Sequence, residues 1–128
     1  MNNHKVSTQH IGARAEQNAQ AYLQSHGLSL ITKNFRCKYG EIDLIMQTHE
    51  PSPEASIVFV EVRFRKLVNY GHGVETVSHS KKQRLIRTAL YYLQENHLFD
   101  KVPCRFDVLG ASGDAPVVWI KNAFEVDY

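Results

Sequence analysis

The sequence is poor in everything that staples a chain, threads it through a bilayer or cradles a nucleotide triphosphate. Its 128 residues include only two cysteines, Cys37 and Cys104. They lie far apart and form no Cys-x-x-Cys unit, so a disulfide framework is excluded and buried free thiols in a reducing cytoplasm are expected. The longest apolar runs, Ile57–Val60 and Ala89–Leu93, fall well short of the ~20 residues a membrane helix needs. No apolar stretch opens the chain, so neither a signal peptide nor a membrane partner is expected. Seven histidines show no His-x-x-x-His spacing, which argues against zinc. There is no Gly-rich phosphate loop, no nucleophile elbow, no repeat and no low-complexity segment.

What is present is an ordinary globular composition, 43% hydrophobic and 22% charged. At this length it predicts one domain, residues 1–128, with a core of its own and a frayed polar start over residues 1–7. Net charge is only +2, but it is unevenly spread. Between Arg63 and Arg87 stand Arg63, Arg65, Lys66, Lys81, Lys82, Arg84 and Arg87 against a single acid, Glu75. That window suits a polyanion such as nucleic acid, or else a solvated helix face.

Two strand-like runs each carry a carboxylate where apolar residues are expected. Gly40-Glu41-Ile42-Asp43-Leu44-Ile45 places Asp43 between Ile42 and Leu44, and Ile57-Val58-Phe59-Val60-Glu61-Val62-Arg63-Phe64-Arg65 places Glu61 among valines. Asp is depleted in strands, and a residue that breaks the local rule inside a consistent element marks a functional candidate. Alternation puts Glu41, Asp43 and Ile45 on one face of the first strand, and Phe59, Glu61, Arg63 and Arg65 on one face of the second. The Pro51/Pro53 loop between them suits an antiparallel hairpin, and pairing brings Asp43 and Glu61 side by side. Two carboxylates that close repel unless a proton or a divalent cation compensates them, and oxygen-only ligands suit Mg²⁺. The competing reading is a half-solvated strand with ion pairs on its wet face.

The remaining elements follow from pattern. Ile11, Ala15, Ala19, Tyr22 and Leu23 predict a helix from about Thr8 to His26, ended by Gly27, with Glu16 at the edge of its apolar stripe. Leu28–Arg36 reads as a strand. Residues 66–79 hold Gly71-His72-Gly73 and read as a loop next to the candidate site. Ser80-Lys81-Lys82-Gln83 resembles a capping box. It opens a helix with Leu85, Ile86, Ala89, Leu90, Tyr92 and Leu93 on its apolar face, Lys81 at that face's border, and Arg84 and Arg87 on the far side. Cys104–Leu109 and Ala115–Lys121 read as closing strands around Ser112-Gly113-Asp114. Asp107 repeats the oddity of an acid in an apolar strand, and a buried structural hydrogen bond is its expected role.

A helix with Glu, a strand with Asp, a strand with Glu-x-cation and a second helix resemble the PD-(D/E)xK nuclease superfamily. More closely, the chain resembles the YraN-like family of small bacterial proteins assigned to it. The segments that carry the likeness are Gly12-Ala13-Arg14-Ala15-Glu16, Asn34-Phe35-Arg36, Gly40–Ile45, Phe59–Arg65, Lys81 and Arg105-Phe106-Asp107-Val108. The resemblance implies a restriction-endonuclease-like α/β fold: a mixed sheet of about five strands flanked by two main helices, in the order α-β-β-β-α-β-β. It implies Mg²⁺ or Mn²⁺ held by Asp43, Glu61 and the Val62 carbonyl, with Glu16 reaching the ion directly or through water. It also implies a cation after Glu61 that orients water and stabilises phosphate charge. Here that position holds Arg63 where the superfamily usually has Lys; Arg keeps the charge but cannot transfer a proton. Lys66 and Lys81 are the candidates to replace it. The expected activity is metal-dependent cleavage of nucleic acid, DNA first, in the cytoplasm, with Arg65, Lys66, Lys81, Lys82 and Arg84 on the phosphate backbone. The alternatives are a non-catalytic nucleic-acid-binding module that kept the fold, or an interaction domain for a DNA-processing partner.

Overall fold

The structure, a computed structural model, describes residues 3–49, 55–64, 77–111 and 118–125. Among the described residues seven elements follow one another: α1 (Asn3–Ser25), β1 (Leu28–Cys37), β2 (Gly40–Thr48), β3 (Ile57–Phe64), α2 (His79–Glu95), β4 (Cys104–Ala111) and β5 (Val118–Phe124). The strands form one mixed sheet in the order β1-β2-β3-β4-β5. β3 and β4 run parallel, while the other neighbours are antiparallel. A parallel pair needs a crossover connection, which α2 supplies.

Both sheet faces are covered, and the sequence explains how. On one side α1 sets Ala19 and Leu23 against Leu28, Leu44, Met46, Val58, Val60 and Leu109. On the other, α2 sets Leu85, Ala89, Tyr92 and Leu93 against Ile42, Ile45, Ile57, Phe59, Phe106 and Phe124. The odd and even positions of β3 therefore enter different cores. Phe59 and Glu61 are buried, against the half-solvated reading of β3 at those positions, while Val62 and Arg63 beyond them are half-buried.

Several expected boundaries move. The helix begins at Asn3 and takes in most of the start expected to fray, because residues 3–10 contain neither Pro nor Gly to stop cooperative extension. It ends where expected, with Gly27 at φ +97° and its amide donating to the Gln24 carbonyl. The cap of α2 is Ser78, not Ser80. Ser78 is extended at φ −63°, ψ 158°, and its Oγ accepts from the Lys81 amide at 3.2 Å, leaving Ser80 inside the first turn. Cys37 and Cys104 are free, but Cys37 is half-buried and Cys104 exposed rather than buried, because they stand at strand ends.

Asp107 has the structural role expected of it. At 1% exposure it accepts from Arg105 Nε (3.0 Å), Trp119 Nε1 (2.9 Å) and the Asn122 amide (2.9 Å). Those bonds tie β5 to β4 at the point where their register shifts; β5 runs past the expected Lys121 to Phe124, and its expected start at Ala115 lies outside the described residues. Among the described residues no helix is long and apolar enough to cross a membrane.

Candidate functional site

The sheet loosens at one residue of β2. Pairing with β3 stops at Leu44↔Val60; one step further would set Asp43 opposite Glu61. There the Val62 N–H instead donates to Asp43 Oδ2 at 2.8 Å. On the other flank, pairing with β1 passes from Lys33↔Leu44 to Phe35↔Ile42 and omits the Asn34–Asp43 step. Asn34 occupies the left-handed region, φ +53°. Ile42 and Ile45 both enter the α2-side core while Leu44 enters the other, so alternation fails within this stretch. A bulge-like irregularity of this kind re-aims a side chain. Here it takes Asp43 out of both ladders.

The carboxylates gather there. Burial first, and the Glu61 charge second, push the Asp43 carboxyl from 3.8 up to about 7; the Val62 N–H works against them, and Glu16 and Glu41 add smaller pushes. Glu61 is buried at 7% exposure and meets Lys81 Nζ at 2.8 Å. Glu16, half-buried on α1, is raised by burial and then by Glu41; a hydrogen bond from Asn34 and the Lys33 charge lower it, and Glu61 raises it further. Asn34 therefore has two tasks, breaking the β1 ladder and holding Glu16.

Asp43 and Glu61 open into one cavity of about 190 Å³, lined also by Gly40, Glu41, Lys81, Arg84 and Leu85. Lys81 is delivered by the first turn of α2, whose backbone Ser78 fixes, and Arg84 stands one turn on. Gly40 lets β2 approach α2 closely: its φ is +151°, and a Cβ there would lie 3.1 Å from Thr88 Oγ1. A side chain at position 40 would press α2 away from the acids.

The other sequence candidates fall as follows. Val62 takes part through its N–H, the one bond described for it in the site. Arg63 is half-buried on β3, two positions beyond Glu61. Lys82 Nζ stands 5.6 Å over the Phe124 ring. Arg65, Lys66 and His72 lie outside the described residues. Arg84, expected on the far side of the apolar face, lines the cavity beside Lys81, because residues three apart on a helix are neighbours. Sequence reasoning missed Asn34, although the signal was the one that marked Asp43: a residue poorly suited to strands, and tolerant of left-handed backbone, inside a strand-like run.

Among the described residues no three of His, Cys, Asp and Glu form a metal-binding group. The arrangement is a repelling pair, Asp43 and Glu61, with Lys81 on one member and Glu16 and Glu41 adding negative charge nearby. It can hold a proton at neutral pH, or exchange that proton for a stronger positive charge.

A family model described as "Uncharacterised protein family UPF0102" matches residues 15–110, a span that includes Glu16, Asp43, Glu61 and Lys81. A UPF0102 protein of Coxiella burnetii (strain RSA 331 / Henzerling II) is 54% identical over 121 residues, covering 94% of this chain and 97% of the relative. One from Legionella pneumophila subsp. pneumophila (strain Philadelphia 1) is 42% identical over 120 residues, covering 92% and 97%. One from Nitrosococcus oceani is 41% identical over 119 residues, covering 91% and 92%. With three quarters of its length inside the family model and relatives of its own size, the chain belongs to the UPF0102 family, the YraN-like group its motifs resemble.

Proposed function

We propose that this protein is a divalent-metal-dependent nuclease of the PD-(D/E)xK type, with a restriction-endonuclease-like fold and DNA as its substrate in the cytoplasm. The observation that carries the reading is the half-buried Asp43 and the buried Glu61 on one cavity, with the Lys81 ammonium 2.8 Å from Glu61. The donor set fits Mg²⁺ or Mn²⁺: it is oxygen-only, and the Asp43 charge is held off by burial and by Glu61 until something positive arrives. Mg²⁺ keeps several waters and commonly takes one or two carboxylates, so a third protein ligand is not required. Asp43 and Glu61 would hold the ion. When bound, it supplies polarisation of the phosphate and an acidified water.

The chain's own residues do the rest. The Val62 amide fixes the Asp43 carboxylate through Oδ2. Lys81 brings to Glu61 the cation that the superfamily carries two positions after the acid, and unlike Arg63 it can give up a proton. Arg84, at the mouth of the cavity, offers a fork for a phosphate oxygen. Both contacts read backbone rather than sequence, so binding would fall with salt.

The test is cleavage of single-stranded, duplex and branched DNA in Mg²⁺ and in Mn²⁺ by wild type, Asp43→Asn and Glu61→Gln. Loss of at least a hundredfold in both variants is expected; undiminished cleavage in both removes the site. A non-catalytic nucleic-acid-binding module is the second reading, favoured by Lys81 already engaging Glu61. Salt-sensitive binding that ignores divalent ions, with no cleavage of any substrate, selects it.

A further inference from the structure

A second concavity of about 400 Å³ lies along α2, lined by Tyr39, Arg87, Leu90, Tyr91 and Gln94. Arg84 of the acid cavity and Arg87, Tyr91 and Gln94 of this one follow a three-four-three spacing, which makes one stripe on a helix. Seven residues separate Arg84 from Tyr91, or about 10 Å of helix. That is roughly three steps of a stacked strand at ~3.4 Å each.

The walls have a chemistry of their own. Tyr39, at the turn between β1 and β2, is 38% exposed, and its ring lies 6.2 Å from Tyr91 at 62°. Tyr91 is backed by Phe35 (6.3 Å), which meets the buried Tyr92 edge-on at 5.2 Å, so the surface ring stands on a chain of rings running into the core. Leu90, which the helix pattern assigns to the core, is only half-buried and lines the groove. Positive charge rims it: Arg87 from the helix, and Lys38, whose Nζ lies 5.3 Å over the Tyr39 ring. Aromatic faces with interleaved cations are what unpaired bases and their phosphates use, because base faces in a duplex are already stacked. The Gln94 amide adds a donor and an acceptor for a base edge.

We propose that this groove binds an unpaired base of a single-stranded segment, one to three nucleotides from the phosphate engaged at Asp43 and Glu61. The proposal rests on the reading of that cavity as a phosphodiester site. It makes the substrate class nucleic acid with a single-stranded stretch: a flap, an overhang or an open junction arm.

The test is binding of a fluorescent dT oligonucleotide, an abasic oligonucleotide of equal length and a duplex, measured by anisotropy in EDTA so that cleavage plays no part. Stacking contributes about 1–3 kcal/mol per base by alanine substitution. Tyr39→Ala is therefore expected to raise the Kd for dT by about tenfold and to leave the abasic and duplex values unchanged. Tyr39→Phe keeps the ring and is expected to restore binding, which a merely structural defect would not allow. Tyr39 is exposed at a turn, so its variants should fold; a thermal melt matching wild type checks this. Equal loss on all three ligands, no loss on any, or no binding of dT by wild type overturns the proposal. Ring-dependent binding without cleavage in Mg²⁺ or Mn²⁺ supports the groove and removes the nuclease reading. Cleavage whose strand preference and affinity ignore Tyr39 does the reverse.

Discussion

Replacing Asp43 by Asn should stabilise the ion-free protein, and the gain should depend on pH in a defined way. In the fold the Asp43 carboxyl is raised from 3.8 to about 7, chiefly by burial and by Glu61. Between those two values the folded chain holds a proton that the unfolded chain has released. Stability therefore falls as pH rises across that window and is flat on either side. At roughly 1.4 kcal/mol per pH unit of displacement, keeping Asp43 ionised above neutrality costs the fold about 4 kcal/mol. The Asn amide keeps an oxygen for the Val62 N–H and carries no charge, so most of that cost disappears. We expect Asp43→Asn to match wild type within about 0.5 kcal/mol near pH 4 and to exceed it by about 2–4 kcal/mol at pH 8.5. For a domain of this size that is a rise in Tm of roughly 7–15 °C. Urea unfolding in EDTA at both pH values measures it. Adding Mg²⁺ at a hundred times its Kd should return about 2.7 kcal/mol to wild type and nothing to the variant. An Asn variant less stable than wild type at pH 8.5, or a pH-independent difference, would refute the electrostatic account of the site.

Substitutions at three other positions probe the contacts around it. Lys81→Met strips a buried carboxylate of its ammonium and should cost about 1–3 kcal/mol in urea unfolding, while enlarging the Mg²⁺-induced rise in Tm because Glu61 is released. Asn34→Gly keeps the left-handed backbone but removes the bond to Glu16, so an NMR titration should show the Glu16 carboxyl moving further up; Asn34→Ala should instead lose about 1–2 kcal/mol to backbone strain. Asp107→Ala leaves the Arg105, Trp119 and Asn122 donors without their shared acceptor and should destabilise by about 3–5 kcal/mol, seen as early hydrogen exchange in β4 and β5.

How much of this could be read in advance follows from which residues lacked a local reason to be where they are. Asp43, Glu61 and Asp107 are carboxylates inside apolar strands, and each proved to be held by named partners. Nothing in propensity put them there, so only tertiary contacts could. Lys81 was visible as a border residue of the second helix, but that its amine meets Glu61 was not, because a wheel gives a direction around a helix and not the strand beneath it. The parallel run of β3 and β4 was carried only by the resemblance, which implied a mixed sheet: alternation reports faces, never strand direction. Ser78 and Ser80 offer the same hydroxyl, and the backbone angles that chose between them belong to the fold. The irregularity at Asn34 and Asp43 was half legible, since both residues suit a strand poorly. Yet the pattern could not show that they face each other across the same break.

The parallel pairing of β3 with β4 has a further consequence. A chain that must enter β4 at the same end as β3 is obliged to travel back over the sheet, and α2 makes that journey. Its first turn is thereby docked where β3 finishes, beside Glu61, whatever residue follows that acid in the strand. Connectivity thus brings the Lys81 ammonium to Glu61 from the helix, independently of what β3 carries two positions beyond that acid.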